Sequence, residues 1–306
     1  MYDIIIVGAG PAGLTAAIYA RRASKKTLVL EATTYGGQII NTLDIENYPA
    51  EEKITGVELA KKFYNQAKNL GAEIEFEKVV EIVDNGATKI VKTEDDKYEA
   101  KAVIIATGTE VRKLGLRDEE KLTGRGVSYC ATCDGAFYKG KTVAVAGGGS
   151  GALYEASYLS NIVEKLYLIH RRDEFRGEDA LVRELEEKEN VEFVFGANVT
   201  GIIGDDKLEK IEVTKNGGEK LELSVDGLFV AIGREPKNKE IAPFLNFDNA
   251  GYIDAGEDCK TNVEGIFVAG DNRTKSTRQI VTATADGAIA ASAAIRFVSG
   301  GYYANA

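Results

Sequence analysis

Asp3-Ile4-Ile5-Ile6-Val7-Gly8-Ala9-Gly10-Pro11-Ala12-Gly13 decides the fold of this chain. Asp3 to Val7 is an apolar, β-branched run of the kind that forms a strand buried on both faces. Three glycines follow at fixed offsets, then Leu14 to Arg22 has helical spacing, and a second apolar run, Thr27 to Leu30, ends in Glu31. The glycine pattern alone says little. A strand before it, a helix after it and an acidic residue closing the next strand make it a dinucleotide-binding unit. Gly8, Gly10 and Gly13 let the backbone approach a pyrophosphate whose charge rests on the helix N-terminus, and the Glu31 carboxylate accepts from ribose hydroxyls.

The pattern then recurs. Thr142-Val143-Ala144-Val145-Ala146-Gly147-Gly148-Gly149-Ser150-Gly151-Ala152 restates the strand and turn, with Gly147 in the place of Gly8. Leu153 to Ser160 reads as the following helix and Leu166 to Ile169 as the next strand. Gly227 to Gly233 mirrors the earlier run from Lys101 to Ala106 with Thr107 and Gly108 behind it, so the architecture is a duplicated nucleotide fold. One position separates the copies. His170 stands at the same offset from Gly147 as Glu31 does from Gly8, and it opens His170-Arg171-Arg172 with Arg176 beyond. A carboxylate repels a 2′-phosphate and a basic cluster attracts one, so the first unit fits FAD and the second NADPH rather than NADH. The other reading of the basic cluster is a solvated helix start.

Between the two turns lies Cys130-Ala131-Thr132-Cys133-Asp134. Two cysteines at this spacing can open and close a disulfide, and the first thiol of such a pair has a lowered pKa. A zinc site needs four ligands, yet the only other sulfur is Cys259 and the only histidine is His170, both far along the chain. The pair reads as the working end of a redox enzyme. Cys259, in a polar turn-like stretch, reads as a bystander.

The chain has 306 residues, enough for two domains, and a net charge of −10 with no basic aromatic-interleaved run, which argues against nucleic-acid binding. Three cysteines do not make a disulfide framework. Ile4 to Ala20 carries no charge, but its glycines and Pro11 cut it into strand, turn and helix rather than a membrane span. Met1-Tyr2-Asp3 lacks the basic start of a signal peptide, so a cytoplasmic, unanchored protein is expected. Val57 to Leu70 predicts an amphipathic helix closed by Gly71, Ala72 to Tyr98 a small antiparallel ribbon, and Gly251 to Asp254 a strand with its turn. Gly265 to Asp271 predicts a strand ending in a carboxylate, which reads as an N-cap or a ligand contact. Thr282 to Ile295 predicts a small-residue helix.

These motifs, in this order and over essentially the whole chain, resemble the low-molecular-weight thioredoxin reductases of bacteria and archaea. The resemblance rests on Gly-Ala-Gly-Pro-Ala-Gly, Gly-Gly-Gln, Cys-Ala-Thr-Cys-Asp-Gly, the second glycine turn, His-Arg-Arg-Asp-Glu-Phe-Arg, and Gly-Ile-Phe-Val-Ala-Gly-Asp with Arg-Gln-Ile after it. It implies an α/β protein of two Rossmann-like three-layer nucleotide-binding domains, the second inserted into the first. The FAD-binding domain would be residues 1–112 and 243–306, and the NADPH-binding domain, carrying the Cys pair, residues 113–242. It implies an FAD site on Gly8, Gly10, Pro11, Ala12, Gly13, Glu31, Gly37, Gln38, Asn47, Val79, Ala106, Thr107, Gly108, Gly270, Asp271, Arg278, Gln279 and Ile280. NADPH would sit on Gly148, Gly149, His170, Arg171, Arg172, Arg176, Ile232 and Gly233.

In the family, Cys133 would face the flavin, Cys130 would attack the thioredoxin disulfide and Asp134 would act as general acid. A homodimer is implied, as is rotation of the insert about linkers near Arg112-Lys113-Leu114 and Pro236-Lys237-Asn238. Glutathione-reductase-like enzymes use a histidine near the C-terminus, and none follows His170 here. One departure stands out. Where the family has Asp-Ser-Ala or Asn-Ser-Ala and then two glutamates, this chain has Ser150-Gly151-Ala152-Leu153-Tyr154-Glu155. Relatives that lost NADPH use take electrons from ferredoxin, so ferredoxin stands as the alternative donor, and a non-catalytic flavin redox sensor as the alternative class. A peroxiredoxin-reducing flavoprotein would carry a thioredoxin-like region before the first strand.

Overall fold

The opening apolar run becomes β1 (Tyr2–Val7), whose last four residues are buried. In the computed structural model, which describes residues 1–42, 45–176 and 179–300 with the Cys133 side chain excepted, β1 is central to a largely parallel sheet. β2 (Thr27–Leu30) lies on one side of it and β6 (Lys97–Ile105) on the other, both parallel. β3 (Glu73–Glu75) extends the sheet beyond β2, and β17 (Ile266–Val268), from the far end of the chain, pairs with β6. The strand order reverses at β1, where α/β sheets open a crevice at their carboxyl ends. β4 (Val79–Asn85) and β5 (Thr88–Thr93) fold back on the start of β6 as an antiparallel meander. The expected ribbon therefore begins at β4. β3 follows a helix and returns parallel, as a crossover connection does.

α1 (Pro11–Arg22) joins β1 to β2, and α2 (Gly56–Asn69) leads to β3. α2 opens on a capping box, in which the Thr55 hydroxyl accepts from Glu58 N and the Glu58 carboxylate accepts from Thr55 N. α8 (Ile280–Val298) packs against α1 so closely that a Cβ on Gly287 would lie 2.2 Å from the Ala12 carbonyl oxygen. Among the described residues α8 alone is long and apolar enough to cross a membrane. Its Ala283, Ala290, Ala291 and Ala294 are instead part of the apolar core. One core cluster lies on the side of α1, α2 and α8, and a second packs the opposite face of the sheet beneath the meander, giving three layers.

The chain leaves this sheet through β7 (Glu110–Val111) and returns through β16 (Arg234–Glu235), and the two short strands pair with each other. Contacts divide the chain into Met1–Glu110 with Glu235–Ala306, and Val111–Arg234. The return crossing lies earlier than the expected 242/243. The physical reason is Asn238, at the start of α7 (Asn238–Ile241). It is fully buried, accepts from the Thr107 hydroxyl at 2.8 Å and donates to the Asn272 carbonyl at 3.1 Å, which fixes this stretch in the first unit.

The second unit repeats the plan. β9 (Thr142–Ala146) lies between β10 (Lys165–Ile169) and β15 (Gly227–Val230). β11 (Val191–Val194) and the short β8 (Val127–Ser128) form the edges, all parallel. An antiparallel sheet of β12 (Ala197–Ile203), β13 (Lys210–Lys215) and β14 (Lys220–Ser224) contributes to one core cluster, while α5 (Ser150–Ser160) and α6 (Asp179–Glu186) contribute to the other. Two short helices, α3 (Glu119–Leu122) and α4 (Ala131–Asp134), flank β8 in sequence.

Candidate functional site

In the first unit the predicted residues converge at the carboxyl ends of β1, β2, β6 and β17. Gly8 has φ +107°, and a Cβ there would meet the Ala106 carbonyl oxygen at 2.3 Å, so only glycine lets the turn pass over β6. Gly10 precedes α1, with Pro11, Ala12 and Gly13 in its first turn, leaving backbone N–H groups facing outward as an anion cradle. Gly36 N donates to the Ala9 carbonyl at 2.7 Å, and a Cβ on Gly37 would lie 3.3 Å from Gly10 Cα. The Gly37-Gln38 turn therefore sits on the first glycine turn. Glu31, just past β2, accepts from Ala9 N at 2.8 Å and Thr33 N at 3.1 Å, so the carboxylate stands beside the cradle at the ribose-reading place.

Asn47 and Gln279 meet although they lie near opposite ends of the chain, Asn47 Nδ2 donating to Gln279 Oε1 at 3.2 Å. Gln279 caps α8 with Ile280 as its first residue, and Arg278 donates to the Asp271 carbonyl and stacks 4.0 Å from the Tyr252 ring centroid. The Asn272 side chain donates to Thr107 Oγ1 and the Ile105 carbonyl, tying the Gly270-Asp271 turn to Ala106-Thr107-Gly108. Val79 is different. It is a buried core residue at the start of β4, and its side chain packs with the meander cluster.

Sequence reasoning missed what holds the Gly270-Asp271 turn. Asp286 on α8 is 3 % exposed; its carboxylate accepts from Gly270 N at 3.0 Å, from Arg273 through two nitrogens at 2.9 and 2.8 Å, and from Lys275 at 2.8 Å. Burial works against its charge, but the two cations more than offset this and hold its carboxyl below the usual range. An Asp inside an alanine-rich helix was the available signal. Cys259 lies in the turn-like polar stretch expected for it, but its own side chain is turned away from water. It is fully buried and free, with φ +57°, and burial, reinforced by Asp286, pushes its thiol up to about 12. It is inert for a packing reason.

The second turn obeys the same constraint as the first: a Cβ on Gly147 would meet the Ala231 carbonyl at 2.3 Å, the same distance as Gly8 to Ala106. A Cβ on Gly148 would lie 2.1 Å from the His170 ring. His170, expected among the cations at the ribose-reading position, is instead 8 % exposed and packs beneath the turn, stacked on Phe175 at 5.6 Å. Burial, together with Arg171 and Arg176, holds its pKa down, so it is neutral near pH 7. Arg176 N donates to the Gly148 carbonyl at 2.8 Å, which stitches the basic loop onto the turn. Arg171, Arg172 and Arg176 are exposed around it. Gly149 caps α5, and added Cβ atoms on Gly149, Gly151 and Gly233 would meet nothing within 4 Å, leaving the cradle open; Ile232 packs against the core below. On α5, Glu155 is partly buried, and burial lifts its carboxyl to about 7 against the pull of Arg234.

The redox turn follows β8. Cys130 is disulfide-bonded, while the Cys133 side chain lies outside the described residues. Ser128, 3 % exposed, has its hydroxyl 2.6 Å from Asp134 Oδ2, and Cys130 N donates to the same hydroxyl at 3.2 Å. On the other side, the Tyr129 hydroxyl donates to Glu119 at 2.8 Å. Glu119, 2 % exposed, also accepts from the backbone N–H groups of Leu114, Gly115 and Leu116, so one carboxylate clasps the segment after β7 to the residue before Cys130. Burial and this bond push the Tyr129 phenol up to about 12. Neither Ser128 nor Glu119 announces itself in sequence, because their partners are set by the turn.

The residues present thus fit two dinucleotides: two open glycine cradles of one design, one with a carboxylate and one with a guanidinium cluster at the ribose end. The protein-family model that matches residues 2–287 is that of the pyridine nucleotide-disulphide oxidoreductases. Thioredoxin reductase of Listeria monocytogenes is 45% identical over 304 residues, 97% of this chain and 94% of that protein. The crystal structure of Lactococcus lactis thioredoxin reductase superposes with a TM-score of 0.89 at 40% identity, covering 98% of this chain and 100% of that one. A ferredoxin-flavin thioredoxin reductase from Clostridium acetobutylicum is 35% identical, with a TM-score of 0.55 and 98% of each chain covered. Fold, duplicated cradle and relatives agree, and the chain belongs to the pyridine nucleotide-disulphide oxidoreductases, in their low-molecular-weight thioredoxin reductase branch.

Proposed function

We propose that this chain is an NADPH-dependent thioredoxin reductase that uses FAD in its first unit, NADPH in its second, and the Cys130–Cys133 disulfide as the relay to its substrate. The observation that carries the reading is the disulfide-bonded Cys130 on the same turn as Asp134. The basic loop stitched to the second cradle supports the choice of NADPH. When bound, NADPH supplies two electrons and FAD passes them to a disulfide.

In the reduced protein the Cys130 thiolate attacks the thioredoxin disulfide. A bond forms between Cys130 and one thioredoxin sulfur, and the other leaves as a thiolate that takes a proton from the Asp134 carboxyl. Cys133 then attacks the Cys130 sulfur, which closes the Cys130–Cys133 disulfide and releases dithiol thioredoxin. A carboxyl at this position is within reach to pass a proton to the departing sulfur. Glu31 would accept from the flavin nucleotide's ribose, and Arg171, Arg172 and Arg176 would hold the 2′-phosphate of NADPH. We place the enzyme in the cytoplasm as a homodimer, which sedimentation of the purified protein tests.

Ser150-Gly151 and the ferredoxin-dependent relative favour one second reading, in which ferredoxin is the donor. Anaerobic stopped-flow mixing separates the two. Flavin bleaching by NADPH, faster than by NADH, is the expected result. Reduction by reduced ferredoxin with no bleaching by NADPH would assign the altered turn to lost nicotinamide use.

A further inference from the structure

Asp134 has to exist in two protonation states if it gives up a proton in each turnover, and the group touching it must suit both. That group is Ser128. β8 places it opposite Phe229 of β15, inside the unit, where its side chain has little access to water. Its oxygen is 2.6 Å from Asp134 Oδ2, it accepts from Cys130 N at 3.2 Å, and the Cys130 carbonyl oxygen is 3.4 Å away. A hydroxyl has one hydrogen and two lone pairs, and it rotates to suit its neighbours.

We propose that Ser128 is a positioning residue for the general acid: a rotating hydroxyl that keeps Asp134 hydrogen-bonded in both protonation states and, through Cys130 N, holds the nucleophile's backbone in register with it. This rests on reading Asp134 as the acid. With Asp134 protonated, its O–H donates to Ser128 Oγ, and the serine hydrogen points to the Cys130 carbonyl. When the Asp134 proton passes to the departing sulfur, the serine hydrogen swings to Asp134 Oδ2. No contact with Ser128 is lost, and the Cys130 N–H stays satisfied throughout. A fixed donor such as a backbone N–H would stabilise only the carboxylate and make the acid too weak a proton holder.

Among the described residues, few other titratable groups lie near Asp134. Cys130 is on its own turn, and Tyr138 follows in the next turn, its phenol raised by burial, then by Asp134 and by Asp226 just before β15. α5 packs against α4 and brings the Tyr158 ring to 2.9 Å from a Cβ built on Gly135. Among the described residues, Ser128 is the side chain seated on the Asp134 carboxylate at hydrogen-bond distance.

The test compares Ser128→Ala, Ser128→Thr and Asp134→Asn in the flavin-loaded protein, with flavin absorbance and thermal melting as checks on the fold. Two pH profiles are read, the rate of thioredoxin reduction and the rate at which iodoacetamide alkylates the reduced protein. Removing the hydroxyl takes a bond from both protonation states, but the bond to the charged carboxylate is the stronger, so Ser128→Ala should move the Asp134-dependent midpoint upward by roughly half to one pH unit in both profiles, the size of that difference. Ser128→Thr, which keeps the hydroxyl, should restore it. A midpoint unmoved in Ser128→Ala while Asp134→Asn abolishes it overturns the role of Ser128 and leaves the acid assignment standing. A shift that Ser128→Thr does not restore also overturns it, since shape rather than the hydroxyl would be responsible. Unchanged profiles in Asp134→Asn would remove the acid itself, and the proposal with it.

Discussion

Glu155 is the residue of the altered turn region whose charge depends most on its surroundings. Burial lifts its carboxyl from 4.5 to about 7, with Arg234 opposing. The folded chain therefore keeps a proton that the unfolded chain loses, and the stability this contributes is full below pH 4.5 and lost as pH rises through 7. Glu155→Gln should raise the melting temperature at pH 8, by on the order of 1–2 kcal/mol of stability, and change little at pH 4.5. Melting curves across that window check it, and equal gains at both pH values would contradict it. Gly148→Ala belongs to the same scale. Its new Cβ would lie 2.1 Å from the His170 ring, so the basic loop must shift. The expected result is a higher KM for NADPH with thioredoxin KM unchanged. The glycines, Glu31 and the arginines were legible in sequence because their work is local: a turn, a close approach, a charge at a fixed offset. The buried place of His170 was not, since it depends on a ring packing beneath a turn formed a whole helix and strand earlier in the chain.

At the scale of elements, the apolar runs and glycine punctuation located the parallel strands closely. The ends and partners of other elements depend on distant atoms. Gly251 to Asp254 reads as a strand, yet Ile253 makes only isolated bridges, to Phe247 and Arg273, because this stretch divides its hydrogen bonds between residues 246–248 and the loop after β17. The same loop shows why α8 matters beyond its length. Asp286, one helical side chain, holds Gly270, Arg273 and Lys275 together, and removing its charge leaves two buried cations facing each other. Asp286→Asn should destabilise the protein by about 3–5 kcal/mol and release flavin faster on dialysis. Denaturant midpoints and flavin fluorescence read both effects. Lower stability with flavin held as firmly as before would show that the turn does not depend on the hub.

For the molecule as a whole, duplication was legible because the two glycine turns repeat a physical constraint, strand carbonyl against glycine Cα, that admits few other residues. The return boundary was not, because Asn238 finds its partners in Thr107 and Asn272, far away in sequence. Two crossings that pair as β7 and β16 form a short ribbon, which we propose as the hinge for the domain rotation that the resemblance to thioredoxin reductases implies. A covalent crosslink that locks the two units should stop thioredoxin reduction while one half-reaction survives in single-turnover mixing. Undiminished steady-state turnover would exclude rotation.

The discontinuous first unit also dictates an order of manufacture. The ribosome delivers α1 early, and β17 and α8, which close its sheet and cover its apolar face, only after the entire inserted unit has emerged. The inserted unit is complete in sequence at Arg234 and can fold while the opening sheet still lacks its last strand. A nascent chain released before Ile280 would carry a finished nucleotide cradle tethered to an uncovered one. Such fragments are material for chaperones and proteases, and the final turns of translation decide whether an enzyme leaves the ribosome.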